Sequence, residues 1–260
     1  MIMENILLEE QDQVLLITIN REKQLNALNK STIEELSSAL DDAAQNDSIR
    51  SVVITGSGGK AFVAGADIKE FASFSVEQGK ALAAEGQTKL FNKVEKMNKP
   101  VIAAINGFSL GGGLELAMAA HMRVASDNAR MGLPEVSLGV IPGYGGTQRL
   151  AQLVGKGKAL ELITSAGMIK APEALNWGLV NYVVPLDELI AKAKEMASAT
   201  HRNSPVAIKA AIKAVLAGYE TGTDGLEREI ELFGECFGTD DFKEGTSAFM
   251  EKRKASFPGK

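Results

Sequence analysis

The chain has 260 residues, 45% hydrophobic and 23% charged, the profile of a globular protein with room for one large domain and a sizeable core. A net charge of -5 argues against nucleic acid as a main partner, which would demand a clustered basic surface. Cys236 is the only cysteine and the histidines His121 and His201 lack metal-ligand spacing, so neither a disulfide nor a metal centre is expected. The acidic opening has no secretory pattern and no apolar run is long enough to span a membrane, so a cytoplasmic protein without a membrane partner is expected.

In chain order, Val14 to Ile19 reads as a buried strand. Ser31 to Glu34 has the form of a capping box, opening a helix in which Ile33, Leu36 and Leu40 recur at helical spacing. Val52 to Thr55 is a second strand, and Ala61 to Val63 an extended stretch leading into Ala64-Gly65-Ala66-Asp67. Lys80 to Met97 is mostly helical. Val101 to Ile105 is wholly apolar, as in a strand covered on both faces. A glycine-rich segment, the apolar helix Leu114 to Ala120 and the short strand Met122 to Ala125 follow. Residues 132 to 146 are loop-rich, and from Thr147 onward the pattern is almost wholly helical. The fold class is therefore α/β, with a C-terminal helical region: a core over residues 1–200 and helices over 201–260.

Three glycine signals compete for function. Gly56-Ser57-Gly58-Gly59-Lys60-Ala61 fits a dinucleotide fingerprint, but extended residues follow where a helix must start, so a plain turn is the better reading. Gly107-Phe108-Ser109-Leu110-Gly111 fits a nucleophile elbow, with Asp187 and His201 in the order of a serine hydrolase. Those two, however, fall at opposite ends of one helical stretch, roughly 20 Å apart. The third signal is the pair Ala64-Gly65-Ala66-Asp67 and Gly111-Gly112-Gly113, whose amides can approach a ligand closely. The second of these opens a helix, where free N–H groups favour negative charge. Two such amides facing one point would form an oxyanion hole for a thioester carbonyl; the alternative is glycine for close packing.

Glu115 lies one turn after Gly112 among Leu114, Leu116, Ala117, Met118, Ala119 and Ala120. A carboxylate on so apolar a helix is costly unless functional or paired, with Arg123 and Arg149 the candidate partners. Glu135, in a loop after Pro134, has no such local signature.

Together these segments resemble the crotonase (enoyl-CoA hydratase) superfamily. The similar stretches are Gly65 to Lys69, Asn106 to Ala117, Pro134 to Gly139, Pro142 to Leu150 and Gly178 to Asn181, with Thr18 to Arg21, Asn26 to Leu28 and Ala248 to Lys254 at the ends. The resemblance implies a spiral of ββα units with a C-terminal helical region that mediates trimers, commonly paired into hexamers. It implies oxyanion amides at Ala66 and Gly112 and two hydratase glutamates at Glu115 and Glu135. It places Ala64, Ala66, Asp67, Ile68 and Lys69 along the CoA crevice, Lys69 near the phosphates, and Gly143 beside the reacting centre. The implied activity is hydration of a short-chain 2-enoyl-CoA, with Glu115 activating water and Glu135 protonating C2, and with no metal or cofactor beyond the CoA of the substrate. The alternatives are another acyl-CoA enzyme of the same family, working as an isomerase or in the dehydratase direction, then a serine hydrolase using Ser109 or a non-catalytic CoA-binding scaffold. Two positions depart from the family's common pattern: His121 stands where Asp is frequent, and Leu133 where Gln is frequent.

Overall fold

The computed structural model describes residues 3–260, apart from the side chain of Lys69. The chain runs through β1 (Ile6–Gln11), β2 (Val14–Ile19), α1 (Lys30–Gln45), β3 (Ser51–Gly56) and β4 (Ala61–Val63). A long helix follows as α2 (Val76–Gly86), a wide π turn (Gln87–Phe91) and α3 (Asn92–Glu95). Next come β5 (Val101–Ile105), β6 (Phe108–Leu110), α4 (Gly112–Ala119), β7 (Met122–Ser126) and β8 (Arg130–Gly132). The remainder is α5 (Gly146–Val154), α6 (Lys156–Ser165), β9 (Met168–Lys170), α7 (Ala171–Asn176), β10 (Tyr182–Val184), α8 (Leu189–Thr200), α9 (Pro205–Ala217), α10 (Gly225–Phe237) and α11 (Asp240–Met250).

Two sheets organise these elements. The larger has the order β1-β2-β3-β5-β7-β10, the smaller β4-β6-β8-β9. Among the described residues, only the pairs at two edges, β1 with β2 and β8 with β9, are antiparallel. Three successive pairs, β3–β4, β5–β6 and β7–β8, send their first strand to the large sheet and their second to the small one, and a helix follows each pair. This is the expected spiral of ββα units.

The apolar run of β5 has the predicted cause. Val101, Ala103 and Ile105 enter the main core, whereas Ile102 and Ala104 face the other way, onto Leu189, Ala193 and Ala197 of α8. Successive side chains of a strand point to opposite faces, so burial on both faces demands an uninterrupted apolar sequence. No helix of the described residues is long and apolar enough to cross a membrane.

Several local expectations need correction. The cap of α1 is Asn29, whose side chain accepts from the Thr32 amide at 2.9 Å, whereas Ser31 lies inside the helix and bonds Glu35. A true capping box occurs at Ser75 and Gln78, opening α2. The region after Thr147 is not wholly helical: β9 and β10 each extend a sheet by three residues. Past α8 the helices bury few side chains, and Leu226, Ile230, Phe233, Phe237, Phe249 and Met250 are exposed.

Candidate active site

Glu115 owes its position to the turn that precedes it. Asn106, at the end of β5, donates to the Gly56 carbonyl at 2.9 Å and accepts from the Gly56 amide at 3.2 Å, tying β5 to the turn after β3. Gly111 then takes φ +52°, a conformation open to glycine, and α4 begins at Gly112. At Gly113 a side chain would collide with the Val63 carbonyl, so α4 lies directly on β4. All eight residues of α4 are buried, Glu115 included.

The carboxylate is not neutralised by an arginine. Arg123 donates to the carbonyls of Leu179 (2.8 Å), Ala120 (2.6 Å) and Ala117 (3.3 Å). Arg149 is bound through Nε and Nη2 to Glu95, at 2.8 and 2.7 Å. Instead, Oε1 of Glu115 accepts the amides of Tyr144 (2.8 Å) and Gly146 (2.7 Å). Burial pushes its carboxyl up to about 7; the two amides and Arg149 oppose that shift, while the nearby Glu135 charge adds to it.

Glu135 opens a short 3-10 turn, Glu135–Leu138, after Pro134. Its Oε1 stands against Gly111, where an added Cβ would meet it at 2.7 Å, and its buried Oε2 has no hydrogen-bond partner among the described residues. Burial raises its pKa as well.

Two backbone amides face the same space. Leu28 forms a parallel bridge with Ala66, its N–H bonding the Gly65 carbonyl and its carbonyl taking the Asp67 amide. In that pattern the N–H and C=O of Ala66 point away from Leu28. Gly112 is the first residue of α4, so its N–H has no intrahelical acceptor. Neither amide has a backbone partner among the described residues, and a Cβ at Gly112 would lie 3.8 Å from the Ala66 nitrogen. Ala64, Ala66, Ile68, Gly112, Glu115, Glu135 and Gly143 all line one cavity of about 290 Å³.

Asp67 lines an adjoining cavity of about 420 Å³ rather than this one, and pairs with Arg21 at 3.5 Å. The Lys69 side chain lies outside the described residues. Between the two cavities stands Tyr144, which borders both. Its ring stacks on Phe91 with centroids 4.5 Å apart and fills the space that a side chain at Gly86 would need. Nothing in the local sequence singles out Tyr144, because its partners come from a helix more than fifty residues earlier.

The hydrolase constellation does not assemble. Ser109 lies within β6, fully buried, with no partner for its hydroxyl among the described residues. His201 caps α8 and pairs with Ser51 at 2.9 Å, while Asp187 sits in the turn before α8. His121 is structural: Nδ1 accepts the Val101 amide and Nε2 bonds the Glu95 carbonyl, with burial holding its pKa below the usual imidazole range.

A ββα spiral with two free amides, one buried carboxyl and one half-buried carboxyl around one apolar cavity defines a protein of the crotonase type. The profile of the Enoyl-CoA hydratase/isomerase family matches residues 9–260. A short-chain-enoyl-CoA hydratase of Clostridium acetobutylicum is 48% identical over 251 residues, covering 96% of each chain. A crotonyl-CoA hydratase of Syntrophomonas wolfei is 46% identical over 258 residues, covering 99% of each. The crystal structure of an enoyl-CoA hydratase from Bacillus anthracis superposes with a TM-score of 0.92 at 41% identity, covering 99% of this chain and 100% of that one. The chain belongs to the enoyl-CoA hydratase/isomerase family.

Proposed function

We propose that this protein is an enoyl-CoA hydratase that adds water reversibly across the 2,3 double bond of a short-chain 2-enoyl-CoA, giving the 3-hydroxyacyl-CoA. The observation that carries the reading is the pair of carboxyls, buried Glu115 and half-buried Glu135, sharing a cavity with the free amides of Ala66 and Gly112. The amides accept the thioester oxygen as negative charge develops on it, which makes C3 electrophilic. Water held between the carboxyls attacks C3. Glu115, ionised, takes a proton from that water, and Glu135, protonated, delivers one to C2. The Glu115 carboxyl, raised to about 7, suits a group that exchanges protons near neutral pH, and burial shifts Glu135 in the same direction.

The stretch from Ala64 to Lys69 forms the CoA crevice in this reading, with Asp67 held by Arg21. Amides polarise the carbonyl and carboxyls move the protons, so the chemistry needs no metal or added cofactor. The exposed apolar residues of α10 and α11 support a homotrimer, or a hexamer of two trimers, built through the C-terminal helices. Light scattering that shows a stable, active monomer contradicts that assembly. The same proposal places the enzyme in the cytoplasm, a location that cell fractionation checks.

The test is loss of enoyl absorbance from 2-enoyl-CoAs of increasing chain length, with chelator-treated protein and no added nucleotide. Turnover should be fastest on the four-carbon substrate and decline with length. A requirement for a divalent ion or a nicotinamide cofactor contradicts the mechanism.

A further inference from the structure

The segment Gly143 to Gly146, which supplies both amides to Glu115, is itself held by the helix opposite. Four side chains cross from that helix. Gln87 Nε2 donates to the Gly143 carbonyl at 2.8 Å, and Phe91 stacks on Tyr144. Asn92 accepts from Arg149 Nη2 at 3.1 Å, and Glu95 pairs with the same guanidinium. Arg149 Nη1 in turn donates to the Tyr144 carbonyl at 2.8 Å. Phe91 and Asn92 are sequence neighbours, and in a regular α-helix they would lie about 100° apart around the axis. The π turn Gln87–Phe91 widens the helix at this point, so that Phe91 meets the loop at Tyr144 while Asn92 meets Arg149, the α5 residue that braces the loop. Wide turns of this kind recur at functional sites, because they re-aim side chains that regular helix would direct elsewhere.

We propose that Gln87 is a positioning residue for the hydration step: by fixing the Gly143 carbonyl it sets the Tyr144 amide, and hence Glu115, against the water. Gln87 lines a separate cavity behind the loop with Gln148, Arg149 and Tyr219, and is absent from the lining of the catalytic one, so it acts through the loop rather than on substrate. The inference rests on the reading of Glu115 as the group that activates water.

The test is the pH dependence of kcat for wild type, Gln87→Leu and Gln87→Ala on crotonyl-CoA. The groups facing Glu115 are Glu135 from the turn after β8, Arg149 from α5 with its partner Glu95 from α3, and the Tyr144 hydroxyl. A change from glutamine to leucine or alanine adds no charge to that set, so a moved pKa reports the geometry of the amides. Those amides hold the Glu115 carboxyl down. With the Tyr144 amide displaced, the acid limb of kcat should move up by about 0.5 pH unit or more. At neutral pH kcat should fall roughly tenfold while KM changes less than about twofold. Thr88→Ala, an exposed neighbour in the same turn, should leave both limb and rate in place. An acid limb that stays at the wild-type position in both Gln87 variants, or a KM that rises as much as kcat falls, overturns the positioning role. Wild-type protein without turnover would overturn the hydratase reading as well.

Discussion

Glu115 and Glu135 reach the same cavity from segments that are held in opposite ways. Glu115 stands on a helix buried along its whole length, with one carboxylate oxygen fixed by two amides. Glu135 opens a 3-10 turn that buries no residue and runs on into exposed Leu138, Val140 and Ile141; its Oε2 has no partner. The first carboxyl is therefore locked in place before substrate arrives, and the second has an oxygen available to the reaction. Such a division suits a site where one group must hold a water in register and another must follow the proton to C2. The surrounding fold serves the first group far more than the second.

The largest effects should come from the carboxyls themselves. Glu115→Gln and Glu135→Gln keep the shape of each side chain but remove proton transfer, so steady-state hydration should fall about 10²–10⁴-fold in each. Gly146→Ala attacks only the rigid half of the comparison. Its new Cβ would stand 2.8 Å from Glu115 Oε1, and displacement of that carboxylate should cost on the order of 10² in kcat. An alanine variant with wild-type kcat would show that the grip on Glu115 is not needed.

A stability effect should separate the two roles further. A carboxyl raised from 4.5 to about 7 in the fold remains protonated where the unfolded chain has already ionised. Its contribution to stability is thus fully present below about 4.5 and is lost as pH climbs through 7. Glu115→Gln carries no such penalty. Its melting temperature should exceed that of wild type by a few degrees more at pH 8 than at pH 5, read by calorimetry. An equal difference at both values would mean that Glu115 titrates normally. The smallest effect should be that of Ser109→Ala, whose hydroxyl has no partner in β6; hydration should stay within about twofold of wild type. A dead Ser109 variant with a folded spectrum would restore the hydrolase alternative.

Much of this arrangement is legible in the amino-acid sequence, and the failures have physical causes. Strands covered on both faces, such as β3 and β5, announce themselves as apolar runs. β1 does not, because it is an edge strand with only Ile6 buried. β8 and β9 are three residues each, too short for any period to show. Asn29 caps α1 in place of Ser31 because the chain reaches the helix from Leu28, which is pinned to Ala66 by a bridge that no local pattern reports. Glu115 stands out as a charge in an apolar helix. Glu135 does not, and only the likeness to a family singles it out. Tyr144 and Gln87 escape notice altogether, since what matters about them is a contact between residues more than fifty apart.

The central claim is that both carboxyls act on one water, and the double variant Glu115→Gln with Glu135→Gln tests it most directly. Crotonyl-CoA hydration should be measured for wild type, both single variants and the double variant under one set of conditions. If the two groups form a unit, the double variant should be about as slow as the slower single variant, because losing either already disables the shared step. Losses that multiply, so that the double variant is slower by the product of the two single effects, would show that the carboxyls act independently and would contradict the account.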